Sequence, residues 1–216
     1  MSNRHNNVQI IYNNLLNITH LQKTIHNPSL DSNILTCLEA MNHLTLEELG
    51  IGKAIPLQSF NDPVCMEICH VSQFTLAVFI LPAGSRLPIH DHPQMCVLCK
   101  LVTGSLTYRS FTAESSLEDS KEETLYECTE VIKSAKDSSW YLTPTRGNFH
   151  ELIAHENCVL FDVLLPPYQE PDRPCSYFQA HPTAEHSDKW RLEKLEEEPY
   201  DLLPYGIPYL GDRLIL

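Results

Sequence analysis

No run of apolar side chains in the 216 residues approaches the roughly 20 needed to cross a bilayer; the longest, FTLAVFILP and CVLFDVLLPP, stop well short. Basic residues are scarce as well, with 15 Lys and Arg against 28 Asp and Glu, a formal charge of −13. Affinity for nucleic acid or an anionic membrane rests on Lys and Arg meeting phosphates, so neither is expected as a partner. A cationic substrate or a basic protein segment is compatible with this charge, which also serves simply to keep a chain in solution. The N-terminus MSNRHNNVQIIYNN lacks a continuous apolar stretch behind a basic start, so no secretory leader is expected. The expected location is the cytoplasm, with the nucleus also open, and the eight cysteines are expected as reduced thiols. The length suits one domain, acting as a monomer, with terminal extensions.

A second matched cysteine pair is also missing. Cys96 and Cys99 form a CxxC and Cys65 and Cys69 a CxxxC. Residues three apart on an extended strand point to opposite faces, so Cys96 and Cys99 could not share a zinc ion there.

Up to about Gly50 the sequence reads as helical. VQIIYNNLLNITHLQKTI places Ile11, Leu15, Ile18 and Leu21 at steps of three and four, on one face of a helix, and ILTCLEAMNHL repeats the pattern. Thr45 to Glu48, TLEE, resembles a capping box before Gly50. From about Val64 the period becomes strand-like. VCMEICHV, FTLAVFILP, MCVLCKLVTG, SLTYRSFT, TLYECTEVIKSA, SSWYLTP, ELIAHE and CVLFDVLLP are short and rich in β-branched, sulfur-containing and aromatic residues, with turn formers between them. No helical pattern alternates with these segments, so a parallel α/β sheet is disfavoured. An all-β antiparallel sandwich or barrel is expected. AESSLEDSKEE, Ala113 to Glu123, reads as an acidic exposed loop, KWRLEKLEEE as a short helix, and PYDLLPYGIPYLGDRL as a tail of extended segments and turns. The expected layout is a helical extension over residues 1–50 packed on a barrel that fills 51–216 and carries the tail.

His90 and His92 lie in LPAGSRLPIHDHPQMCVLCKLVTG. On a strand they would project from one face, with Asp91 directed away, and could grip one ion inside a barrel. Such a pair also arises by chance in a chain with eleven histidines. The surrounding spacing decides between these readings. Gly84, five residues, His90-Asp91-His92, four residues, Val97, six residues and Gly104 resembles the first motif of the cupin barrel, a jelly-roll double-stranded β-helix. The motif's glutamate is absent, since Val97 occupies its place, which leaves neutral ligands only. Pro144, Gly147 and His150 resemble the second cupin motif, one residue longer than the common form, and make His150 the natural third ligand. His155, at an odd offset from His150, is expected on the opposite face.

PIHDHPQMCVLCKLVTGSL, GNFHEL and VLFDVLLPPY resemble the thiol dioxygenases of the cysteamine (2-aminoethanethiol) dioxygenase and plant cysteine oxidase type, over roughly Val64 to Tyr177. Gln94 replaces the glycine usual after HDHP. The resemblance implies a cupin fold with N-terminal helices and an Fe(II) cofactor held by His90, His92 and His150. Its implied substrates are O2 and either a small aminothiol or the N-terminal cysteine of a protein, whose sulfur takes both oxygen atoms to become the sulfinic acid. In systems with this family, such oxidation marks proteins for the N-degron route of degradation. Imidazole alone would equally suit zinc, copper or nickel. Among the implied site residues, Asp162, a carboxylate among apolar neighbours, orients the substrate amine or supports the iron site, or else caps backbone amides. Tyr168 lines the pocket entrance or packs after Pro167. Cys175 and Tyr177 resemble the pair that becomes thioether-linked in animal enzymes, and packing alone would also explain them. Neither Arg86 nor Arg109 has a defensible inward position, so no side chain is in place to grip a free carboxylate. The alternative reading is a non-catalytic cupin that binds a metal or small ligand, because one fold hosts many functions.

Overall fold

The computed structural model describes residues 6–52, 56–114, 124–183 and 189–215. Within them run α1 (Asn7–Leu16), α2 (Leu21–His26), α3 (Ser32–Asn42), β1 (Val64–His70), β2 (Thr75–Leu81), β3 (Arg86–His90), β4 (Cys96–Thr103), β5 (Ser105–Ala113), β6 (Tyr126–Ser134), β7 (Trp140–Leu142), β8 (Phe149–Ala154), β9 (Cys158–Leu165), β10 (Phe178–Pro182), β11 (Lys189–Lys194) and β12 (Tyr205–Ile207). They form two sheets of order β12-β1-β2-β9-β4-β7 and β10-β11-β6-β5-β8-β3. All named pairings are antiparallel except β12 with β1. This is the expected all-β cupin barrel with N-terminal helices.

Strand β9 is the clearest case of sequence dictating position. All eight of its residues are buried, because both faces of the strand are covered. Cys158, Leu160 and Leu164 join Leu106, Tyr108 and Leu152 of the opposite sheet in the barrel interior. Val159, Phe161, Val163 and Leu165 point the other way and share a core with Ile11, Leu15, Ile34 and Met41 of the helices. Each such fully buried side chain contributes about 1.5–3 kcal/mol, so the helices are an integral cover for the first sheet.

The first helical segment is two helices, not one. Asn17 closes α1, its N–H donating to Asn14 O at 3.1 Å and the following Ile18 N–H to Leu15 O at 3.2 Å, before α2 begins at Leu21. Asn competes for backbone hydrogen bonds and breaks the helix, yet Ile18 stays buried, so the apolar period survives the break. The Thr45–Glu48 capping box forms as expected: Thr45 N–H donates to Glu48 Oε2 at 3.0 Å and Glu48 N–H to Thr45 Oγ1 at 3.3 Å. Gly50, at φ +74°, abuts the Leu210 backbone, where a Cβ would sit 2.2 Å from the carbonyl carbon.

KWRLEK is a strand rather than a helix. Trp190 and Leu192 are half-buried while Arg191 and Glu193 are exposed, an alternation of period two that overrides the helix propensity of Lys and Glu. Beyond it, the tail is tied back to the helical end: Tyr209 OH donates to Glu48 O at 3.0 Å, and Ile215 N–H to Gln9 Oε1 at 2.8 Å. The acidic loop expected at Ala113 to Glu123 falls almost wholly on residues 115–123, outside the described residues. Among the described residues no helix is long and apolar enough to cross a membrane.

Candidate metal centre

The first pair of histidines is placed by proline. β3 is the edge strand of its sheet, and Pro88, which has no N–H, interrupts its ladder with β8 between Leu87 and His90. Pairing resumes at His90, directly opposite His150. Contrary to the expectation of a shared strand face, His92 lies beyond the end of β3. It is carried by a turn closed by Met95 N–H on His92 O at 3.1 Å, with Pro93 and Gln94 at the corner. Gln94 has φ 57°. That is the left-handed region a glycine would occupy without strain, so the departure at residue 94 strains the backbone at the turn and leaves the histidines in place.

Asn148 holds the turn. Its Oδ1 accepts from His92 N–H at 3.1 Å, and its Nδ2 donates to His92 O at 2.6 Å. This buried amide does for His92 what a partner strand would have done. Asp91 does not simply point away. Its N–H donates to Ser176 O at 3.1 Å, and its Oδ1 accepts from Ser176 N–H at 2.8 Å, tying the histidine turn to the segment that carries Cys175 and Tyr177. Sequence reasoning missed the roles of Asn148 and Asp91, although both sit inside the quoted motifs.

The three imidazoles converge. One ligand atom from each of His90, His92 and His150 lies within 4.8 Å of the others, so the three could hold one metal ion. Among the described residues this is the group of three that could hold a metal. His90 Nδ1 is 2.9 Å from Pro88 O, and a carbonyl can only accept, so Nδ1 carries the proton and Nε2 is free. Tyr168 OH lies 2.6 Å from Asp91 O and 2.7 Å from His92 Nδ1. The phenol donates to the carbonyl and accepts from Nδ1–H, which leaves His92 Nε2 with its lone pair. That Nε2, like His150 Nδ1, is buried with no hydrogen-bond partner. Burial pushes all three imidazole pKa values down, and the proximity of His90 adds to the shift at His92 and His150. Neutral, orphaned imidazoles fit a divalent metal, which satisfies the buried nitrogens that the protein leaves bare. Val97 faces the barrel interior and adds no fourth donor.

These residues line a cavity of about 240 Å³ with Asp162, Tyr168, Cys175 and Tyr177, walled by apolar side chains such as Phe79, Leu152 and Leu164. The volume lies below the roughly 300–1,000 Å³ of drug-sized sites, so it admits a small molecule or the end of a chain. Asp162, on β9 between Ala77 of β2 and Cys99 of β4, is 7% exposed with Oδ1 unpartnered. Burial raises its pKa to about 7, opposed by a hydrogen bond from Cys99. Tyr168 stands behind His92 rather than only at an entrance. The Cys175 thiol lies in hydrogen-bonding contact with Tyr168 and Tyr177, and burial pushes it up to about 11.

Among the described residues no Arg or Lys lines this cavity. Arg86 and Arg109 both pair with the buried carboxylate of Glu151, Arg109 Nε at 2.7 Å. His155 is exposed, its Nε2 2.7 Å from Thr107 Oγ1, apart from the three converging histidines. Cys96 and Cys99 belong to opposite core faces, as strand geometry requires, and are free thiols.

The PCO_ADO family model matches residues 38–210, a span that includes the three histidines. A probable 2-aminoethanethiol dioxygenase of Dictyostelium discoideum is 28% identical over 163 residues, 70% of this chain and 75% of the relative. Plant cysteine oxidase 1 of Arabidopsis thaliana is 29% identical over 185 residues, 76% of this chain and 58% of the relative, so the chain spans less than two thirds of that protein. The 2-aminoethanethiol dioxygenase of Homo sapiens is 29% identical over 180 residues, 70% of this chain and 67% of the relative. With the family match running through the histidine centre and both flanking sheets, this chain belongs to the PCO_ADO family of thiol dioxygenases.

Proposed function

We propose that the protein is an Fe(II)-dependent thiol dioxygenase that converts the sulfur of cysteamine, or of an N-terminal cysteine, to the sulfinic acid using both atoms of O2. The observation that carries this reading is the convergence, among the described residues, of three neutral imidazoles without an acidic ligand, in a small cavity that also holds the buried Asp162 carboxylate. Ferrous iron, when bound, supplies the redox chemistry that joins dioxygen to sulfur. An uncharged ligand set suits a substrate that arrives as an anion, and thiolate is the form of sulfur that binds metal. His90, His92 and His150 would hold the ion, Asp162 would accept from the substrate ammonium, and Tyr168 and Asn148 would fix His92. Cys175 and Tyr177 would form the wall beside the sulfur. If the substrate is a protein N-terminus, the reaction reports oxygen supply to an N-degron route. Iron-loaded protein incubated in air with cysteamine and with a Cys-initiated peptide is expected to add two oxygen atoms to at least one of them, seen by mass spectrometry. Bound iron with no mass gain on either would contradict the activity.

Tyr168→Phe removes the acceptor for His92 Nδ1–H. Loss of such a supporting hydrogen bond costs about 10–100-fold in metal affinity. Competitive chelator titration is expected to show a weakening in that range, and an unchanged affinity would remove Tyr168 from the site.

Asp162 gives a pH signature in the metal-free protein. Its folded-state pKa of about 7 lies above the ~3.9 of an unfolded aspartate. Its neutral form therefore fits the fold at low pH, and stability is lost as pH rises from about 4 through about 7. Asp162→Asn cannot ionise, so its stability relative to wild type is expected to grow across that window, by at most about 4 kcal/mol at pH 8. Denaturant melts at pH 4.5 and 8 check this, and an equal difference at both would contradict the burial of the charge.

A further inference from the structure

The cavity mouth continues into a segment that the centre itself does not use. Leu195 N–H donates to Tyr177 O at 2.8 Å, and Leu203 and Pro204 line the cavity. The residues between them therefore form the rim, anchored at both ends by groups that touch the site. Glu196, Glu197 and Glu198 are consecutive and exposed, and among the described residues none is in an ion pair. Tyr200 follows, 73% exposed, an aromatic surface on the same segment. Inside the pocket, the unpartnered and buried Asp162 Oδ1 also calls for a donor. One ligand answers all three features: a chain that puts its terminal ammonium at Asp162 and carries further cations outward.

We propose that the rim formed by Glu196 to Glu198 and Tyr200 is an acceptor surface for a basic peptide, binding Lys or Arg side chains in the first few residues after an N-terminal cysteine. This rests on the thiol dioxygenase reading and selects among its substrates. An extended chain advances about 3.4 Å per residue, so the second to fourth residues leave a small cavity and cross its rim. Carboxylates attract their side-chain cations, and the Tyr200 ring face holds them by cation–π contact. The chain's formal charge of −13 supplies long-range attraction of the same sign.

The test pairs two C-terminally labelled peptides, Cys-Lys-Lys-Gly-Gly and Cys-Glu-Glu-Gly-Gly, with the full chain and with the triple variant Glu196→Gln, Glu197→Gln, Glu198→Gln. Turnover in air and anaerobic binding by fluorescence anisotropy are both read. Wild type is expected to favour the basic peptide by about tenfold in kcat/KM and in Kd at low salt, with the preference falling as salt screens it. In the triple variant the ratio is expected to collapse toward one. Equal handling of the two peptides by wild type, or a preference that survives in the variant, would overturn the rim assignment. If neither peptide nor cysteamine gains oxygen, the dioxygenase reading fails instead, and the anisotropy ratio still decides the rim.

Discussion

Replacing His150 with alanine is expected to strip the protein of iron while leaving its fold intact. His150 sits opposite His90 across the β3–β8 ladder, so its removal opens the face of the ligand set built by register alone. Loss of a mere supporting hydrogen bond costs about 10–100-fold in metal affinity, so deletion of a ligand is expected to exceed 10²-fold. The metal-free fold should not suffer in proportion. His150 Nδ1 and His92 Nε2 are buried and unpartnered, a condition that costs about 1–3 kcal/mol per group. The expected pattern is loss of the iron-dependent rise in melting temperature, with little fall in the melting temperature of the metal-free protein. Elemental analysis after ferrous loading provides the occupancy. Full occupancy in the variant would remove residue 150 from the ligand set.

Free cysteine is expected to be a poor substrate beside cysteamine, by about 10²-fold or more in kcat/KM, and the reason is electrostatic. Its carboxylate would enter a cavity that, among the described residues, offers Asp162 and no Arg or Lys. Arg86 and Arg109 are held on Glu151 and cannot both turn inward without leaving a buried carboxylate unpaired, and Arg173 is held by its Nε on Pro167 O at 2.8 Å. Cysteamine lacks the carboxylate, and in an N-terminal cysteine it is a neutral amide. Steady-state kinetics on the three substrates, with oxygen consumption as the signal, check this; equal kcat/KM for cysteine and cysteamine would mean that a cation reaches the pocket.

Much of this centre was legible in the sequence because its parts are local. His90, His92 and His150 stand within motifs whose turn glycines are where the spacing puts them, with Gly84 at φ +83°, Gly104 at +88° and Gly147 at +65°. The period-two segments from Val64 to Leu165 became strands because alternation is a property of the residues themselves. What escaped were features decided by tertiary contact. The end of β3 at His90 is one, since an edge strand carrying Pro88 has a single partner to prolong it and the chain turns before His92. β11 was read as a helix because Lys and Glu outweighed the faint alternation of Trp190 and Leu192. The break between α1 and α2 was masked because Ile18 keeps its place in the core without a helical backbone. Asn148 and Tyr168 act on His92 from 56 and 76 residues away, and no local pattern specifies such a contact. The convergence of cavity, Asp162 and the glutamate rim likewise depends on how separate segments meet.

The central claim is that three uncharged imidazoles hold a ferrous ion against an incoming thiolate, and isotopic labelling tests it most directly. Iron-loaded protein given a Cys-initiated peptide or cysteamine under ¹⁸O2 is expected to release a sulfinic acid carrying two heavy oxygen atoms, and His150→Ala protein none. Product with a single heavy atom, or unmodified thiol after incubation with fully loaded protein, would contradict it.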